Sequence, residues 1–96
     1  MEGRAMKTKR ELAAFICEHV FDDSRPVLLV VKDDEGDWQL LCGAEHSGPP
    51  LGKVVGLNHL LDRDPSINEV LDLDEGWEAE RISAAAPWGR RRSPAE

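Results

Sequence analysis

The chain has 96 residues and a formal net charge of −7, a length that supports one domain around one core. Its longest apolar run, residues 27–31, is strand-sized, so no segment reads as a membrane-spanning helix. Residues 11–89 hold five basic against seventeen acidic residues, a net of −12, which repels phosphate backbones and argues against nucleic-acid binding by the folded body.

Residues 1–10 read as a flexible basic segment. No apolar stretch of a secretory signal follows them, so the expected location is a reducing cytoplasm and the expected cysteine is a reduced thiol. A Cys17–Cys42 disulfide stays open at this stage. Thr8 and Glu11 have capping-box spacing and introduce a short helical turn through Leu12 and Ala14. The period then becomes two: Phe15, Cys17, His19 and Phe21 fall on one face, which predicts a strand over 14–21. Residues 22–26 form a turn on composition, with Pro26 unable to donate to a ladder. Residues 27–32 are apolar on both faces, the pattern of a strand covered on both sides.

The polar loop 33–37 leads into 38–42, and the two runs read as an antiparallel hairpin. A ten-residue loop, 43–52, contains Pro49 and Pro50. Residues 53–57 suggest an edge strand and 58–61 a helical turn. Asp64-Pro65 reads as a helix start, with Asp64 as N-cap and Pro65 at the first helical position. Ile67, Val70 and Leu71 then bury one stripe. Residues 77–82 alternate as a last strand, and 84–96 fade into a flexible tail with Trp88 packed back. The sum is an α+β domain over 11–83, a small antiparallel sheet of three to five strands with one or two short helices on one face.

Chemistry concentrates in two short pieces. Cys17, His19, Cys42 and His46 include both cysteines and two of the three histidines, and four such ligands can hold zinc. The set lacks a Cys-x-x-Cys knuckle, and two buried thiols serving as small hydrophobes explain the same residues. A Cys–His nucleophile, with Glu45 orienting His46, is the weaker chemical reading, because acidic surroundings raise a thiol pKa and no oxyanion-hole motif accompanies it. The acidic loop 33–37 lacks the ligand spacing of an EF-hand and reads as a solvated turn.

The tryptophans give the other lead. Trp38 and Trp77 each follow an acidic turn, and with Asp37, Glu78 and Glu80 they suggest an acidic surface carrying aromatic anchors. Such a surface suits a basic protein partner, whereas two buried indoles would make the tryptophans core residues.

Four pieces carry a resemblance to a family of small bacterial domains of unknown function whose relatives are grouped with polymorphic-toxin immunity proteins. They are Cys17, the hairpin residues 37–43 around Trp38, Asp64-Pro65-Ser66-Ile67, and Gly76-Trp77-Glu78-Ala79-Glu80-Arg81. The likeness spans roughly residues 15–82. Asp37, where the pattern has Gly, departs from it, as do Cys42 and His46. The resemblance implies a non-enzymatic domain that binds another protein. The sequence therefore ranks an immunity-like, non-catalytic protein-binding role first, a zinc-binding domain second and a small enzyme third. An exposed edge strand makes a homodimer plausible.

Overall fold

The computed structural model describes residues 13–43 and 52–93. Strands β1 (Ala13–Cys17), β2 (Leu29–Lys32), β3 (Trp38–Leu41), β4 (Gly52–Gly56), β5 (Trp77–Glu80) and β6 (Gly89–Arg92) form one sheet. Their order is β4-β1-β3-β2-β5-β6. Two short helices, α1 (Glu18–Phe21) and α2 (Leu57–Arg63), and a 3-10 helix (Pro65–Val70) complete the fold. The α+β class is as expected. The sheet is larger than three to five strands, and it is mixed rather than antiparallel.

The mixed character arises because β1 pairs with β3 in parallel, Ile16 opposite Leu40, while β3 also forms the expected antiparallel hairpin with β2. Parallel neighbours need a crossover connection. Here the chain leaves β1, turns through α1, runs to β2 on the far side and only then folds back into β3.

One sheet face is built from Ala14, Ile16, Val30, Trp38, Leu40 and Ala79, which oppose one another across the ladders. All are buried, and they share one core cluster with Val20, Leu57, Leu60, Leu61, Ile67 and Val70 from the helical segments. The opposite face carries Phe15, Leu29, Val31, Gln39 and Leu41, which are half-buried. β2 is therefore covered fully on one side only, against the reading of its sequence.

Residues 14–21 are not one strand. Among the described residues the last pair of the β1–β4 ladder is Cys17 opposite Gly52, and the chain does not continue as a strand beyond Cys17. It turns instead, with the Asp22 amide donating to the Glu18 carbonyl at 3.0 Å. The Ser24 and Arg25 amides both reach the His19 carbonyl, at 3.0 and 3.3 Å. Gly52 is required at the ladder's end, because a Cβ there would lie 2.0 Å from the Ile16 carbonyl oxygen.

Asp64 caps the segment after α2 as expected, accepting from the Ser66 amide at 3.1 Å. The helix it starts is 3-10 and buries Ile67 and Val70. The segment 84–93 is no loose tail. Its Arg90, Arg91 and Arg92 lie in β6, which pairs with β5 and places Arg91 opposite Glu78. Trp88 packs back on the core, its Nε1 donating to the Ser66 carbonyl at 3.3 Å. The capping box at Thr8 and Glu11 lies outside the described residues.

Candidate metal centre

Three of the four residues singled out by their chemistry meet. β1 and β3 run parallel, so their carboxyl ends lie side by side. Cys17 is the last residue of β1, and Cys42 directly follows β3. The single turn of α1 brings His19 back over this corner, so the strand-to-helix junction rather than a strand repeat unites Cys17 with His19. The two thiol sulfurs and one imidazole nitrogen all lie within 4.8 Å of one another. Cys42 Sγ is 3.5 Å from His19 Nδ1. His46 and Glu45 lie outside the described residues.

Those separations can be set against a bound ion. Zn–S bonds of about 2.3 Å and Zn–N bonds of about 2.0 Å, at tetrahedral angles, require sulfur–nitrogen separations of roughly 3.5 Å and sulfur–sulfur separations of roughly 3.8 Å. The Cys42–His19 distance already has that value, and the other pairs need to close by about 1.3 Å at most. A thiol–imidazole hydrogen bond has the same 3.5 Å reach, so Cys42 and His19 are also satisfied without a metal.

The surroundings hold the ligands in place. Cys17 and Cys42 are buried, at 3% and 2% exposure, while His19 is half-buried. The His19 carbonyl accepts from two backbone amides and from the Ser24 hydroxyl, which fixes the backbone that carries the ring. Beside it, the Asp22 carboxyl is held below its ordinary value, first by hydrogen bonding from Ser24 and to a smaller degree by the charge of His19. Two thiols and an imidazole suit a thiophilic ion such as zinc and do not suit calcium or magnesium, which take oxygen ligands.

The residues expected to form an acidic, aromatic surface are dispersed. Trp38 is 4% exposed and belongs to the core, with Lys32 Nζ 5.3 Å from its ring centre. The requirement that both indoles anchor a surface is not met. Trp77 is half-buried and packs against the core cluster. Glu78 is buried and paired with Arg91, and Glu80 meets Arg91 Nη1 at 2.8 Å. Of the set only Asp37 is an exposed acid with no ion-pair partner among the described residues, its amide donating to Asp33 Oδ1 at 2.9 Å.

Sequence reasoning missed two further groups. The buried arginine, Arg81, donates to the Val27 carbonyl through Nε at 3.0 Å and Nη2 at 2.8 Å, and to Asp64 Oδ2 at 2.6 Å. Nothing marks it in the sequence except its place at the end of an alternating strand. The turns 33–37 and 74–76 also abut, with the Gly76 amide on the Lys32 carbonyl at 2.8 Å. The Glu75 carboxylate lies against Gly36 and the Asp34 carboxylate against Gly76, which gathers exposed acids at one end of the sheet.

The chain matches no protein-family model, no curated protein and no solved structure.

Proposed function

We propose that this chain is a metal-binding domain that holds zinc through Cys17, His19 and Cys42. The observation that carries this reading is the convergence of two buried sulfurs and an imidazole nitrogen within 4.8 Å, at the junction of three separate elements. A bound ion supplies a strongly polar partner for two thiolates in an otherwise apolar corner, and its binding free energy adds to folding. Elemental analysis of protein purified without chelator tests it. Near-stoichiometric zinc, lost in Cys42→Ser and His19→Ala, is the expected result. Metal-free protein that takes up no added zinc refutes it.

A second reading has one observation in its favour. Asp34, Glu35, Asp37, Asp74 and Glu75 are exposed together where the two turns abut, beside half-buried Trp77. Together with the resemblance to immunity-like domains, this supports non-catalytic binding of a basic protein partner, for instance a nuclease toxin. Asp34→Lys with Glu75→Lys should abolish such binding without lowering the melting temperature. Unchanged binding by that double variant removes the acidic end from the interface.

A further inference from the structure

A cavity of about 320 Å³ opens between the turn after α1, α2 and the start of the 3-10 helix. Its floor is apolar, made by the buried side chains of Val27, Leu60 and Ile67. Its rim carries Arg25 and Arg63. We propose that this cavity binds a small organic anion, an aromatic or short-chain carboxylate whose apolar body fills the floor while its charge meets the two guanidinium groups.

The charge arrangement supports an anion in an otherwise acidic protein. The Arg25 guanidinium has no hydrogen-bond or ion-pair partner among the described residues, although an arginine with five donors is recruited wherever a carboxylate must be held in two-point contact. Arg63 is already positioned, its Nη2 donating to the Val20 carbonyl at 2.6 Å. Two carboxylates also line the cavity. Asp64 is committed to Arg81 and Ser66 and is no competitor. Asp23 is the competitor: it lies 3.6 Å from Arg63 Nη2, and its side chain is 73% exposed. With Asp64 paired to Arg81 behind it, Arg25 and Arg63 are left against Asp23 among the charged residues of the lining, an excess of one positive charge.

Size narrows the ligand. The volume is at the small end of ligand pockets and equals about ten waters at roughly 30 Å³ each. A single ring with one carboxylate fits that space. None of the residues lining the cavity belongs to the Cys17, His19 and Cys42 group.

The test is a titration of the full chain with benzoate and with neutral benzyl alcohol, followed by ¹H–¹⁵N correlation spectra. Benzoate should saturate with a Kd on the order of 1 mM or tighter, moving resonances of Arg25, Leu60, Arg63 and Ile67. Benzyl alcohol should bind at least tenfold more weakly. Arg25→Gln should weaken benzoate at least fivefold. Asp23→Asn, at a residue whose φ of 63° asparagine tolerates well, should tighten it. Both variants are at exposed positions, and their unchanged spectra elsewhere report an intact fold. Equal binding of the alcohol, absence of saturable shifts, or variants that change affinity in the same direction would overturn the proposal.

Discussion

Arg81 and Asp64 meet at 2.6 Å across 17 residues of chain, joining the end of β5 to the start of the 3-10 helix. The Arg81 side chain is 1% exposed, and every one of its nitrogens donates: to Val27, to Asp64, and through Nη1 to the Ser66 hydroxyl and the Ala84 carbonyl. The Trp88 ring covers it, with the guanidinium carbon 4.1 Å from the ring centre. A charge this deeply buried is tolerated only because it is paired and fully hydrogen-bonded.

Arg81→Lys keeps the charge and removes the fork, leaving the Val27 carbonyl and the Ser66 hydroxyl short of donors. It should destabilise the domain by about 3 kcal/mol, within the range for a broken buried pair. Urea unfolding measures this directly. A loss under about 1 kcal/mol would show that the network is peripheral to stability.

Acid should weaken the same joint. Burial alone would raise the Asp64 carboxyl, but hydrogen bonds from Ser66 and Arg81, with the Arg81 charge, together hold it below its ordinary value. Its folded pKa is thus depressed relative to the unfolded chain. The stability it contributes is fully present above the unfolded value near about 4 and is lost as pH falls through the folded value. Denaturant midpoints between pH 6 and 2 should fall more steeply in the parent than in Asp64→Asn, which lacks this component.

Removal of residues 84–96 should damage the fold, because β6 and Trp88 are integral to it. Truncation strips the ring from Arg81 and leaves Glu78 buried without Arg91. A loss of about 2 kcal/mol or more, read as a melting temperature lower by roughly 10 °C, is expected. An unchanged melting curve would mean that the segment does not pair with β5.

Gly52→Ala probes the β1–β4 ladder beside the cysteine corner. The added Cβ would meet the Ile16 carbonyl oxygen at 2.0 Å and the Phe15 ring at 2.7 Å, so the strands must separate. Amide exchange of residues 53–56 should accelerate by at least tenfold while that of Val30 and Leu40 changes little.

The sequence was informative where local chemistry acts alone. The hairpin of β2 and β3 followed from apolar runs around Gly36, whose φ of 87° closes the turn. Asp64 followed from capping logic. What escaped were decisions made by tertiary partners. Alternation over 14–21 is real, yet only its first part is a strand, and after Cys17 the backbone turns into α1. Three consecutive arginines after Trp88 read as tail, but Arg90 pairs with Asp72 and Arg91 with Glu78 and Glu80, so the charge of these two is absorbed by the acidic body. Trp38 beside Asp37 looked like a surface anchor, while the strand's alternation turns its ring inward with Leu40. The Cys/His group was legible as composition, and its convergence needed the parallel β1–β3 pairing that no local signal announces.

The proposed zinc site requires that Cys17, His19 and Cys42 bind one metal ion together. Titration of metal-free protein with cobalt(II), read by thiolate-to-metal charge-transfer absorption, tests it most directly, since the band reports sulfur coordination itself. A shared site gives a band that saturates at one cobalt per chain, is displaced by one zinc, and is abolished by Cys17→Ser or Cys42→Ser. Saturating cobalt with no charge-transfer band would contradict it and leave the two cysteines as core residues.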